Sequence, residues 1–398
     1  MKAGWVKKHL GEVCESKLGK TLNASTDHGE IRPYLCAVNV KWDAFDLATI
    51  KKAPFDADEI KKYSVQKGDL LVCEGGETGR AAIWNKEEPI QYQNALHRIR
   101  FKEGTILPRF CLHYLRYLKL SGVLDKEYSH GATILHLVSK SLYSIPIEYP
   151  SLPEQQRIVD ILDREFAKID ALKANAEKSL QAAKDLFQAT LKKELGGKTK
   201  NLATLLSICQ SIVDCPHSTP IKSPEKTNFP CIRTSELKAG RISWATMQYV
   251  SEDEYRKRIT RLQPQEGDIV YGREGTIGDA VMLPTGYHFC LGQRTMLFRP
   301  NRSLINPKYL LYCVISPFVY NQAMSRNTGC GVAHVNVADV KQFLIPVPEQ
   351  IDEQRRIVSY LDALNDKCSK LQENYQKTLT LCDDLKQSLL RKAFNGEL

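Results

Sequence analysis

The sequence predicts α/β (α+β) globular domains in two similar copies, separated by two long antiparallel coiled-coil helices. Three observations carry this. The chain repeats itself at an offset of about 199 residues. Two stretches free of Pro and Gly place apolar residues three and four apart over about five heptads. The blocks outside those stretches are short β-branched and aromatic runs broken by turn residues. The expected organisation is a first globular block over 1–150, a long helix over 151–198, a second block over 199–350 and a second long helix over 351–398.

The repeat runs nearly end to end. Gly68-Asp69-Leu70-Leu71-Val72 returns as Gly267-Asp268-Ile269-Val270-Tyr271, and Pro108-Arg109-Phe110 returns as Pro307-Lys308-Tyr309. Glu154-Gln155-Gln156-Arg157-Ile158-Val159 returns as Glu353-Gln354-Arg355-Arg356-Ile357-Val358, then Leu162-Asp163 as Leu361-Asp362. From there the offset holds as far as Leu191-Lys192-Lys193, which meets Leu390-Arg391-Lys392. The two helices are therefore equal in length, while the blocks drift by a residue or two and share few identities. A frame kept twice under changed surfaces suits a protein that reads two different things in one way.

In the first block the runs DLLVCEG and HRIRF read as strands and Arg109 to Leu120 as a short helix; in the second, DIVYGR, TMLFRP and Pro307 to Ile315 take those places. The first long helix carries Ile158, Leu162, Phe166, Ile169 and Leu172 on its apolar stripe, the second Ile357, Leu361, Leu364, Cys368 and Leu371. Pro153 precedes the first helix and Gly196-Gly197 ends it. Each stripe needs cover. Antiparallel pairing of the helices is one solution, packing of each helix on its own domain the other. The candidate partner and spacer residues are Glu154, Gln155, Ile158, Leu162 and Ile169, with Glu353, Gln354, Ile357, Leu361 and Leu371.

The 398 residues carry a formal charge of +10, with the excess of Lys and Arg mainly in the two large blocks, so a polyanion is a natural partner. None of the 12 cysteines falls in a C-x-x-C pair and several sit in apolar runs, the pattern of reduced, buried thiols in a cytoplasmic protein. The start lacks the apolar core of a signal peptide, and no membrane span is expected.

Glycine-rich segments follow the matched strands: Glu74 to Arg80, with Thr78 and Arg80, and Arg273 to Asp279, with Arg273 and Thr276. Neither fits a phosphate-binding loop pattern. They are tight turns, or turns whose Arg also approaches a DNA phosphate or base edge. His136 after Gly131-Ala132-Thr133 and His334 after Gly331 occupy matching positions, as structural hydrogen-bonding groups or as DNA contacts. The polar loop Asp214 to Pro220 offers His217, Ser218 and Thr219; with Cys209 and Cys215 it lacks a fourth ligand at credible spacing, so a metal is not expected. No hydrolase elbow, zinc-protease helix, Walker lysine or methyltransferase base-flipping motif is present, so any chemistry is expected from partners.

On these residues the chain resembles the specificity subunit of Type I restriction-modification enzymes. The resemblance rests on the E-Q-x-x-I openings that follow a proline, Pro150 to Ile158 and Pro348 to Ile357, on the ending Leu389 to Leu398, and on the Asp214 to Pro220 loop, which the first block does not repeat. It implies that each block is a target recognition domain reading half of a split, asymmetric site in double-stranded DNA, with the helices as a ruler. It also implies that two modification and two restriction subunits assemble around this chain. S-adenosylmethionine, ATP and Mg would bind those partners and no cofactor would bind here. A rigid spacer suits half-sites about one turn, ~34 Å, apart. The alternative is a coiled-coil scaffold with two protein-binding domains, which would lack salt-dependent affinity for duplex DNA.

Overall fold

The two sheets that dominate the chain are built from the matched runs. In a computed structural model that describes residues 4–23, 25, 27–131, 133–196, 201–327 and 333–398, strands β1 (Cys14–Leu18), β2 (Leu70–Cys73), β3 (Ala81–Ile83) and β4 (Leu96–Phe101) form an antiparallel sheet in the order β1-β4-β2-β3. Strands β5 (Cys209–Asp214), β6 (Ile269–Gly272), β7 (Ala280–Met282) and β8 (Thr295–Pro300) repeat it as β5-β8-β6-β7. The central register repeats residue for residue: Arg98 faces Leu71, and Leu297 faces Val270. Ala132, Gly197 and Gly331, singled out in the sequence, lie outside the described residues.

Each sheet packs against a short helix that opens with Pro, α1 (Pro108–Leu120) in the first copy and α3 (Pro307–Val314) in the second. In each, a fixed φ suits Pro at the first turn, where no N–H partner is needed. A second small sheet flanks each, with Glu30–Leu35 parallel to Ile90–Tyr92, and Pro230–Ile232 parallel to Cys290–Leu291.

The long helices are α2 (Leu152–Leu195) and α4 (Ile351–Asn395). Pro153 lies inside the first turn of α2 rather than before it, a place where its missing N–H is harmless. The chain divides into two units, 1–176 with 377–398, and 177–376. In the first, Ile158, Leu162, Phe166 and Ile169 from the start of α2 share a core with Cys382, Leu390 and Phe394 from the end of α4. Phe394 sits among Phe110, Tyr114 and Tyr117 of α1, 5.2–5.5 Å between ring centroids. In the second unit, Ile357, Leu361 and Cys368 from the start of α4 share a core with Phe187, Leu191 and Leu195 from the end of α2.

Both ways of covering the apolar stripes are therefore used. Within each unit the helix segments run antiparallel, and both are sealed by the domain. Lys173–Asp383 and Lys386–Asp170 ion pairs link the segments in the first unit. Leu172 and Leu371, expected on the buried seam, are exposed, because sheet and short helix cover only the parts of each stripe that lie over them.

The opening motif has a structural role. Gln155 and Gln354, 199 residues apart, are fully buried and make the same three hydrogen bonds. The Gln155 amide donates to the carbonyls of Thr105 and Pro150, both at 3.0 Å, and accepts from the Leu107 N–H. Gln354 donates to Leu304 and Pro348 and accepts from Asn306. About two turns of helix later a carboxylate does similar work. Asp163 accepts from both Arg109 and His113 of α1; Asp362 accepts from Lys308 and Tyr312 of α3.

The two carboxylate locks differ in what titrates. Burial holds the His113 imidazole below its ordinary range. Burial also raises the Asp163 carboxyl, but the hydrogen bonds from His113 and Arg109 outweigh it and bring it to about 2. Burial and the Asp362 bond push the Tyr312 phenol above its ordinary range, so it stays neutral through acid and neutral pH. Both shifts in the first unit have one sign: the unfolded chain takes up the protons first, so stability held at pH 7 is lost as pH falls, from below about 6.5 for the His and below about 3.8 for the Asp. The first unit should thus lose hydrogen-exchange protection between pH 7 and 5 sooner than the second. Equal loss in both, or persistence of the difference in His113→Gln, would show that another group is responsible.

Candidate nucleic-acid interface

At the ends of β2 and β6 the chain enters the two glycine-rich turns. Gly79 and Gly278 have φ of +77° and +89°, and a Cβ would strike Leu124 in the first and Tyr320 in the second. Backbone bonds close both turns: Gly79 N–H to the Cys73 carbonyl, Gly272 N–H to that of Asp279. These loops are tight turns by construction.

Beside each turn stands the same backbone frame. Glu74 N–H bonds to the Ala95 carbonyl and Arg273 N–H to the Arg294 carbonyl, while Leu137 N–H and Val335 N–H bond to the carbonyls of Glu74 and Arg273. Ala95 and Arg294 both hold positive φ, +81° and +67°, in the left-handed region that residues with a Cβ seldom occupy. The frame is duplicated down to its strained residue, and its side chains are not. Where the first unit has Glu74 and Ala95, the second has Arg273 and Arg294.

In the second unit this gives a charged cluster. Arg273 is buried and donates to Asp214 at 3.0 and 3.3 Å, with the His334 ring 3.3 Å away. Glu274 lies between Arg294, 3.1 Å, and His334, 3.6 Å. His217, 69% exposed, stands 3.4 Å from Asp214, and Ser218 and Thr219 next to it are exposed. Thr276 lies at the turn with its hydroxyl buried. Arg273, His334 and His217 are thus brought together: Asp214 pairs with Arg273 and His217, and His334 joins through Arg273 and Glu274.

In the first unit the arrangement is less charged. His136 is exposed and its ring lies against Gly75, where a Cβ would come within 3.2 Å of it. Arg80 is turned inward, donating to Glu77 and the Ala37 carbonyl. Thr78 is buried and donates to Asp125 at 2.6 Å, so it supports the turn and presents nothing to solvent. Among the helix residues, Gln155, Ile158, Leu162, Ile169, Gln354, Ile357 and Leu361 are buried within their units; Glu154 and Glu353 are paired with Arg157 and Arg356.

Sequence reasoning missed Asp214 as a hub, Gln293 and Arg294 beside it, and the locks at Asp163 and Asp362. The two aspartates were visible as a repeat identity; their pairing was not. It also missed Asp69 and Asp268, buried in the matched Gly-Asp steps, each accepting two bonds from one guanidinium, Arg100 or Arg299. Among the described residues no three His, Cys, Asp or Glu side chains are grouped to hold a metal ion, and no helix is long and apolar enough to cross a membrane.

The geometry is that of a duplicated α+β unit whose frame repeats and whose side chains do not. The chain belongs to the Type I restriction modification DNA specificity family, whose domain model matches residues 2–182 and again 221–381. It is 25% identical over 363 residues to the EcoBI Type I restriction enzyme specificity subunit of Escherichia coli, covering 84% of this chain and 75% of that one. It is 26% identical over 378 residues to the EcoKI specificity subunit of Escherichia coli strain K12, covering 90% and 80%. The fold matches a chain from a structure of type I R-M system complex assembly with a TM-score of 0.78 at 18% identity, over 100% of this chain and 99% of that one. It also matches the HsdS subunit from Thermoanaerobacter tengcongensis with a TM-score of 0.56 at 18% identity, over 100% and 98%. These relatives are specificity subunits, the non-catalytic components of their enzymes.

Proposed function

We propose that each unit reads one half of a split, asymmetric site in double-stranded DNA, and that the long helices set the gap between the halves. The observation that carries this is the duplicated frame: Glu74 and Ala95 against Arg273 and Arg294 on one backbone give two readers of one design and different chemistry. His136, His217, Ser218 and Thr219 are the exposed candidates for base or phosphate contact; Arg80, Arg273, Thr276 and His334 shape the surface around them. Two modification and two restriction subunits assemble on the chain in the cytoplasm. S-adenosylmethionine serves methyl transfer on the former and ATP with Mg serves the latter, while this chain binds none of the three. Exposed Leu172, Leu381 and Leu385 in the first unit offer apolar surface for such partners.

The test is methylome sequencing of cells carrying this gene with and without its modification partner. The expected result is a new motif of two short halves around a constant gap, present only with both genes. No new motif from an assembled complex would favour a protein-binding scaffold, and methylation by the chain alone would overturn the reading.

A further inference from the structure

The exposed loop of the second unit is held from beneath. Five consecutive carbonyls, from Asp214 to Ser218, are each taken by a side-chain donor. Arg261 donates to the Asp214 and Cys215 carbonyls at 3.0 and 2.9 Å. Arg258 reaches those of Pro216, 3.4 Å, and Ser218, 3.2 Å, and the Gln293 amide takes that of His217 at 2.6 Å. Arg258 is itself buried: its Nε donates to the Leu291 carbonyl at 2.7 Å, and Glu254 four residues back neutralises its charge at 3.2 Å. Glu254 also meets the Ile221 N–H at 3.5 Å, closing the loop at its far side. With the carbonyls engaged on the inside, the exposed side chains of His217, Ser218 and Thr219 are carried on a backbone that has little freedom left to lose.

The first unit secures its corresponding segment by a different device. Lys20, on the chain after β1, is buried and reaches out of it to the Pro54 carbonyl, Glu59 and Asp27. Glu59 and Glu254 occupy the same place, three residues after the N-caps Asp56 and Ser251 of matched short helices. One carboxylate position thus anchors a cation from the loop in one unit and a cation that grips the loop in the other.

We propose that Arg258 is a positioning residue for target reading by the second unit: with Arg261 and Gln293 it presets the backbone of 214–218 so that His217, Ser218 and Thr219 meet the DNA without an ordering cost. This rests on the reading that each unit recognises one half-site. A grip of this kind acts on selectivity in one half alone, whereas a purely structural arginine acts on the folded fraction and leaves both halves equally selective.

The experiment uses the full chain assembled with its modification subunits, and duplexes bearing the cognate site or one altered base pair in either half. Arg258→Met should lower discrimination in one half at least roughly tenfold while the other stays within about twofold, and Arg258→Lys should fall between, since an ammonium spans fewer carbonyls. Lys20→Met should affect the opposite half. Gln293→Ala, which removes a half-buried side chain and leaves the core whole, should act as Arg258→Met does, more weakly, with faster amide exchange in 217–219; it carries the test where Arg258→Met does not fold. Unchanged discrimination in both halves, or equal loss in both, would overturn the assignment. A wild-type complex that discriminates in neither half would remove the half-site reading and this inference with it.

Discussion

Replacing Gln155 by Leu is expected to destabilise the first unit by roughly 3–5 kcal/mol, and Gln354→Leu to do the same to the second. The swap keeps the volume but strips partners from one buried N–H and two carbonyls, and a buried backbone group left unpaired costs about 1–3 kcal/mol. The neighbouring Gln156 is exposed and bonds only to Asp160, so Gln156→Leu should cost no more than about 0.5 kcal/mol. Three of the four tryptophans, Trp5, Trp42 and Trp84, belong to the first unit, so urea unfolding followed by fluorescence reports on Gln155→Leu directly. Hydrogen exchange across α3 and β8 reports on Gln354→Leu. A loss below about 1 kcal/mol in either unit would mean that water replaces the amide and that the motif serves a partner instead.

Lengthening both helices should move the two half-sites apart without changing either. Four residues inserted after Ala176 together with four after Gln376, the points where the two units divide each helix, add about 6 Å of helix. Against 3.4 Å per base-pair step, the gap in the methylated motif should grow by about one to two base pairs, with loss of modification at the original site. The placement matters. An insertion after Leu195 would not serve, because Leu191 and Leu195 are already fixed in the second unit's core and the helix ends there. Methylome sequencing decides: altered bases within a half, or an unaltered gap, would mean that the helices do not act as the ruler.

The matched apolar runs were legible because a strand or helix that repeats its apolar spacing must bury the same face twice. The functional surface was less so. Thr78 and Thr276, one position out of step in the two glycine-rich turns, have different surroundings, one hydroxyl donated to Asp125 and the other buried beside its own turn. Arg273 reads as a free cation until Asp214, 59 residues away in sequence, is seen to hold it.

By itself, then, the sequence determined the duplication, the two equal helices, the strand and helix runs and the turn at each glycine-rich step, because these depend on local spacing and on backbone geometry. Only the tertiary structure decided which helix positions are sealed and which exposed, that Gln155 and Gln354 look inward, and that the loop of 214–218 is held from below by Arg258. The reason is physical: burial and ionic pairing are set by whatever residue stands opposite, and that residue comes from a distant part of the chain.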